Sequence, residues 1–470
     1  MTSARATVVI VNYNGAHLLP ACLDGLRGQD LPGADFRTVV VDNASTDGSL
    51  DLLADRYPWV RVIPSGRNLG FAGGNNLALR QVDTPYAVLL NNDAVPEPGW
   101  LAALLAGFDR PGGGRVGAVT GKVLFLPRFV RLCWECPGGP LGRHDPRPVG
   151  ARVHRVEVDG RDGVDVTDSV LWEDLAYGPE GTGESRFRWA RPAGSLLVPL
   201  PEPPSGGTSR TLGVPVGVRL WVSAPADRNP ARTLSLSGPG GHVTATVTDH
   251  PEPVEIKLPA GTPCLDVVNN AGGIVLRDGY GADRGFQQVD QPGQPDGYDR
   301  PEEVFTACGN GMALRVAAGR EAGWFDERFF LYYEDTDLSW RLRAAGWSVR
   351  YEPAAVLRHV HSASAREWSP VWQFHVERNR LLMLTKNATG RLALAVVARY
   401  PLTAASLLVR SALESLRPGR RFAPGPHLVR ARVVGSYLRL LGPMLATRWR
   451  LGRAARVGRT ELERWLTARR

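Results

Sequence analysis

Glu334, Asp335 and Asp337 stand in the stretch FFLYYEDTDLSWRLR (329–343), behind four aromatic residues and ahead of a helical pattern. Leu338, Leu342 and Ala345 recur at helical spacing, so the acids fall on the first turn of a helix. A carboxylate held there can take a proton from a hydroxyl. The same residue types also cap helix N-termini, and Asp337 and Arg341 have the i, i+4 spacing of an ordinary ion pair. A second acidic site, Asn91-Asn92-Asp93, lies far upstream, and His359 and His361 follow the acidic helix.

The elements that must position these groups read as a parallel α/β sheet. Apolar, β-branched runs at Thr7–Val11, Phe36–Val41, Val60–Ile63 and Tyr86–Leu90 alternate with helical stretches. Ligands of such sheets bind beyond the carboxyl ends of the strands. Asp42 and Asn91-Asn92-Asp93 fall there, and Asp42 suits either hydrogen bonds from a base or ribose or a turn-capping role. A glycine-rich run, residues 67–76, opens a helix where backbone can approach a ligand closely.

The succession VVIVNYNG (8–15), VVVDNASTDGS (39–49), NLGFAGGNN (68–76), LLNNDAVPEPGWL (89–101) and FDERFFLYYEDTDLSWRLRAAGW (325–347) resembles the family 2 glycosyltransferases. Within them it is most similar to the rhamnosyltransferase and galactofuranosyltransferase branch that builds bacterial surface polysaccharides. The resemblance covers residues 1–125 and about 300–385. It implies a GT-A fold, a Rossmann-like mixed sheet flanked by helices, and a hexosyltransferase that inverts the anomeric carbon of a nucleotide-diphosphate sugar. Rhamnose, galactofuranose or another hexose would pass to a cell-surface or cell-wall glycan or a lipid-linked acceptor. Asp335 matches the catalytic base. Asp93 matches the last acid of the family's metal-binding triplet, with Mg²⁺ or Mn²⁺ as cofactor, but Asn91 replaces the first acid and weakens that expectation. His359 matches a further metal ligand, with His361 as alternate. Donor contacts map onto Asn12, Asn14, Asp42, Asn68, Gly70, Asn92 and Arg378, the last in the motif HVERN. Acceptor contacts map onto Trp324, Glu334 and Asp337, with Phe330 and Tyr333 alongside. The rival from another class is a glycan-binding protein that keeps the fold without catalysis. A nucleotidyltransferase would need a phosphate-gripping loop after the first strand, and VVIVNYNG carries none.

Residues 127–294 change texture, with short strand-like runs such as Gly217–Ser223, Thr233–Ser237, His242–Thr248, Val254–Leu258 and Cys264–Val268 separated by Gly, Pro and Asp. They predict an inserted β-rich, sandwich-like domain whose Trp172, Trp189 and Trp221 are core residues or sugar-stacking platforms. The expected organisation is thus 1–126 and 295–390 for the two halves of the GT-A core, 127–294 for the insert, and 391–470 for a helical tail.

Charge singles out that tail. Residues 391–470 hold 17 Arg, no Lys and 3 Glu, a net of +14, which leaves the first 390 residues at −5 against +9 for the whole chain. Arginine interleaved with apolar stretches at Leu392–Tyr400, Leu407–Leu416 and Val433–Leu441 predicts amphipathic helices on an anionic membrane surface rather than nucleic-acid binding. No uncharged run of spanning length appears, and the N-terminus lacks signal-peptide character, so the expected location is cytoplasmic and peripheral on the inner face of the membrane. Five scattered cysteines, including a lone CxxC at Cys133 and Cys136, point to a reducing compartment.

Overall fold

A computed structural model describes residues 4–31, 35–110, 115–142, 145–159, 163–181, 183–200, 210–224, 232–294, 297–360, 369–416 and 424–468. The chain folds as two compact units, one from Met1–Leu126, Val268–Phe286 and Gln291–Arg470, the other from Pro127–Val267 and Gln287–Asp290. Residues 268–286, which composition assigns to the insert, therefore fold with the core, as do the C-terminal helices.

The first unit alternates β1 (Ala6–Asn12), α1 (Leu19–Arg27), β2 (Phe36–Asp42), α2 (Ser49–Arg56), β3 (Arg61–Pro64), α3 (Gly70–Leu79) and β4 (Tyr86–Leu90), then adds β5 (Ala94–Pro96), α4 (Trp100–Ala106) and β6 (Val116–Phe125). After the insert come β7 (Val268–Asn270), β8 (Glu302–Glu303), β9 (Gly311–Arg315), α5 (Val316–Ala322), α6 (Glu334–Ala344), β10 (Ser348–His359), α7 (Pro370–Asn387), α8 (Gly390–Ser415) and α9 (Gly425–Ala454). Eight strands run in the order β8-β10-β6-β9-β4-β1-β2-β3, with β7 beside β6 and β5 beside β10. β1, β2, β3 and β4 are parallel, and β9 enters antiparallel between β4 and β6.

Both faces of this sheet are covered, which is why its strands are continuous apolar runs. Val8 and Ile10 face Leu19 and Leu23 of α1 and Trp100 and Leu104 of α4. Val9 and Val41 face Ala72 and Leu79 of α3 and Leu338 and Leu342 of α6. Each such side chain, fully buried, contributes about 1.5–3 kcal/mol. The mixed sheet flanked by helices is the GT-A architecture expected from the sequence.

The second unit is an antiparallel sandwich. One sheet orders Ala176–Glu180, Phe187–Ala190, Arg152–Val158, Val216–Ser223 and Glu252–Leu258; the other orders Ala193–Pro199, Phe129–Glu135, Arg232–Gly238 and Gly241–Val247. Their inner faces share Leu132, Trp134, Val156, Leu220, Leu236 and Ile256. Four of the five strand runs read from the sequence appear here; Cys264–Val268 instead makes isolated bridges, Leu265 to Phe129 and Val267 to Val289, before Val268 opens β7.

The C-terminal helices differ from expectation. The segments Leu392–Tyr400 and Leu407–Leu416 join into one helix, α8, that continues through Pro401 for 26 residues. It is long and apolar enough, by length and composition, to cross a membrane. The reason is that the charges in this stretch are few and widely spaced, so one apolar surface persists through both segments.

Candidate functional site

The parallel register places Asn12 opposite Asp42 at the carboxyl ends of β1 and β2. Asp42 is buried; its Oδ2 accepts the Ser45 N–H at 3.1 Å, while its Oδ1 has no hydrogen-bond partner among the described residues. Buried acceptors of this kind are rare, and a hydroxyl or base N–H of a ligand would satisfy it. Asn12 accepts from the Asn92 amide at 2.8 Å and donates to Ser45 Oγ at 3.2 Å, tying β1 to the segment after β4. Gly15 makes this pairing possible, since a Cβ there would collide with the amide of Asn92. Asn14, at φ 51°, accepts the Thr46 N–H at 2.7 Å, so its side chain shapes the loop. Asn68 accepts the Gly70 N–H at 2.8 Å, and Gly70 (φ 69°) packs against the Phe330 carbonyl and ring, where any Cβ would clash. Asn68 and Gly70 thus build the junction between α3 and the aromatic loop.

At the neighbouring strand end, His359 closes β10 in register with Ala94 of β5. Its Nε2 lies 3.2 Å from Asp93 Oδ1, and both side chains are buried. His359 Nδ1 makes no hydrogen bond among the described residues. Asn91 donates instead to Asn310 Oδ1 at 2.9 Å, so the position that replaced an acid now braces the turn before β9. The described residues contain no group of three or more His, Cys, Asp or Glu side chains placed to hold a metal. Asp93 and His359 together would suit a divalent cation, which needs few protein ligands and keeps several waters. His361 lies outside the described residues.

Asp335 enters from the turn of α6 that faces the same end. Its Oδ2 accepts the Gly309 N–H at 3.0 Å and its Oδ1 the Thr336 N–H at 2.6 Å. Burial raises the Asp335 carboxyl above the ordinary range, against the pull of those hydrogen bonds. Next to it, burial and then the charge of Asp335 push the Glu334 carboxyl well above its usual value, and Glu334 Oε2 has no hydrogen-bond partner among the described residues.

Two expected acceptor contacts are corrected. Asp337 is fully buried and pairs with Arg341 at 2.8 Å, Lys386 at 2.7 Å and Asn387 at 2.8 Å, so no hydroxyl ligand reaches it. Trp324 is buried against Gly319 in the core, and its carbonyl accepts from Arg341 at 2.6 Å. Arg378 is also turned inward. Its Nη2 donates to the Arg328 carbonyl at 3.1 Å and the Phe329 carbonyl at 2.9 Å, which leaves it bracing the aromatic loop instead of reaching toward a diphosphate.

That loop is strained. Phe330, Tyr332 and Tyr333 all hold positive φ, 66°, 67° and 69°, immediately before the acidic helix. Asn379, which the sequence gave no reason to single out beyond its place in HVERN, sets its amide within hydrogen-bond reach of the Phe329, Leu331 and Tyr332 carbonyls at 2.8–2.9 Å. Asn379→Ala would take the amide donor from the Leu331 and Tyr332 carbonyls and leave the Phe329 carbonyl to Arg378, and a buried group left unpaired costs about 1–3 kcal/mol. The expected outcome is a loss of that order in denaturant unfolding, together with a lower kcat as Asp335 loses its fixed position.

The strand ends therefore gather Asn12, Asp42, Asn92, Asp93, His359 and Asp335 within one unit. The model of the Glycosyl transferase family 2 matches residues 7–124, and that of the Glycosyl transferase family group 2 matches residues 297–406. The N-acetylglucosaminyl-diphospho-decaprenol L-rhamnosyltransferase of Mycobacterium tuberculosis is 35% identical over 208 residues, 40% of this chain and 67% of that protein. The teichoic acid poly(glycerol phosphate) polymerase of Staphylococcus epidermidis is 31% identical over 93 residues, 19% of this chain and only 13% of its own length. A mannosyltransferase from Pyrobaculum calidifontis, solved with GDP-Man and Mn²⁺, aligns over 94% of this chain and 88% of its own at 14% identity and a TM-score of 0.38. The chain belongs to the family 2 glycosyltransferases, on the side of the rhamnosyltransferases.

Proposed function

We propose that the chain is an inverting transferase that moves a hexose from a nucleotide-diphosphate donor to a surface glycan or a lipid-linked acceptor. The observation that carries this is the convergence of Asp335 with Asp42 and the Asp93–His359 pair at one end of one sheet. The acceptor hydroxyl gives its proton to Asp335 while its oxygen bonds the anomeric carbon. The bond from that carbon to the diphosphate breaks on the opposite face, and the nucleoside diphosphate leaves. Asp42 receives the nucleoside through its buried oxygen. Asp93 and His359 would hold a divalent cation, Mg²⁺ or Mn²⁺, which would offset the charge of the leaving diphosphate.

His359→Ala tests that assignment. Removing one of two protein ligands should raise the metal concentration needed for half-maximal transfer by about 10–100-fold, while excess metal restores much of the rate. Full activity of the wild type in a chelator would overturn it.

The reading extends to location: the protein sits on the inner face of the membrane. Along α8, Leu394, Leu402 and Leu413 are each more than 60% exposed, on a helix about 39 Å long, with none of the described residues covering them. Vesicles containing anionic lipid should float with the full chain, and 1 M salt should not release it, since apolar contact survives screening. Release by salt would leave only the arginine charge as the anchor. No flotation would overturn the membrane reading.

A further inference from the structure

The inserted sandwich carries a cleft of about 730 Å³ lined by residues of that unit alone. On the strand Val216–Ser223, Val218, Leu220 and Val222 point into the hydrophobic core, so Trp221 stands on the outer face, half-buried. In register it lies between Arg155 on one neighbouring strand and Pro253 on the other. Around the cleft, Arg155 pairs with Asp165 at 3.2 Å and Arg186 with Asp168 at 2.8 Å. His154 completes the wall and shares a hydrogen bond of 2.8 Å with Ser223. Burial and the charge of Arg152 hold this imidazole below its ordinary pKa, so it is neutral near pH 7.

The charges decide the ligand class. Arg155 also pairs with Glu157 at 2.8 Å, so the guanidinium groups of Arg152, Arg155 and Arg186 are matched by the carboxylates of Glu157, Asp165 and Asp168 and leave no excess positive charge for a phosphate chain or nucleic acid. What remains is a half-exposed indole beside several side chains that donate or accept hydrogen bonds in fixed directions. A sugar ring offers the complement: an apolar C–H face for the indole and hydroxyls that both donate and accept. We propose that this cleft binds a neutral oligosaccharide, with Trp221 as the stacking platform and Asp165, Asp168, Arg155 and Arg186 as hydroxyl partners.

The proposal does not depend on catalysis and can be tested without any donor. Calorimetry on the full chain would titrate tetrasaccharides of glucose, mannose, galactose, rhamnose and N-acetylglucosamine, up to about 10 mM to cover weak single-site binding. At least one should bind saturably, equally well to wild type and Asp335→Asn, and with little change on raising salt. Trp221→Ala should weaken that binding about tenfold, whereas Trp221→Phe should retain most of it. Thermal unfolding of both variants separates lost stacking from a lost fold. Absence of saturable binding by every member, or binding that Trp221→Ala leaves unchanged, would overturn the proposal. So would preference for inorganic polyphosphate over the neutral sugars. Failure of Asp335→Asn to lose transfer would count against the catalytic reading alone.

Discussion

Asp335→Asn should bind nucleotide donor as tightly as the wild type and transfer sugar about 10³-fold more slowly, the scale of a lost general base. The substitution keeps the size of the side chain and one acceptor oxygen, so one of the Gly309 and Thr336 N–H groups keeps its partner and the other faces the new amide NH2. What disappears is the ability to take a proton. The pH profile gives a second readout. Because burial raises the Asp335 pKa, the wild-type kcat/KM should fall with decreasing pH from a point above the ordinary carboxylate value, and this limb should be absent in the variant. Stability should move the other way. A carboxyl whose folded pKa is raised stabilises the fold only in its protonated form; that contribution is present below the unfolded pKa and lost as pH rises through the folded one. Ionisation of Asp335 therefore opposes folding, which offsets the one N–H bond lost in Asp335→Asn, and the variant should melt close to the wild-type temperature. A variant that loses activity and donor binding together, or that melts earlier, would mean Asp335 holds the site's shape and is no base. The assay is transfer and nucleotide titration across pH, with calorimetry alongside.

The sheet and its strand-end residues were legible because their signals are local. Thr7–Val11 and Tyr86–Leu90 are apolar runs that must be covered on both faces, and Asp42 and Asp93 follow directly from where such runs stop. His359 came through the resemblance, and the register of β10 with β5 brings it to Asp93 across 266 positions. Asp337 was misread beside Asp335 because two residues of helix turn the side chain by about 200°, away from Asp335 and toward Lys386 and Asn387 of α7. Its partners Lys386 and Asn387 are 49 and 50 residues away. Asn310 and Asn379 escaped for the same reason: an amide side chain shows its role only when the carbonyl or amide it meets has been folded into place. Continuity of α8 through Pro401 was hidden because proline is the strongest local signal against a helix interior.

Asp337→Ala should be the most damaging substitution to the fold, by about 3–5 kcal/mol, the cost of removing one partner from a buried ion pair. The carboxylate lies between α6 and α7, and it meets Arg341, Lys386 and Asn387 together. Lys386 is itself buried and reaches Asp326 at 2.7 Å, which pairs in turn with Arg328 at 2.6 Å. Without Asp337, Lys386 and Arg341 keep their charges out of water with one carboxylate fewer between them. The combined variant Asp337→Asn with Lys386→Met should recover much of the loss, because it removes a charge of each sign. Denaturant unfolding of the two single variants and the pair gives the coupling directly, and additive losses would show that the network is not a unit. Acid probes the same contacts. Burial opposes ionisation of Asp326, but Arg328 and Lys386 prevail and hold its carboxyl well below the usual range. Its contribution is therefore complete above the unfolded carboxylate pKa, about 4, and is lost as pH falls through the folded value. Acid should thus loosen the α6–α7 junction while Asp335 and Glu334, whose pKa values are shifted upward, become easier to bury. The helix that carries Asp335 is thus held against α7 by the Asp337 contacts to Lys386 and Asn387, while burial at its first turn opposes the charges of Glu334 and Asp335.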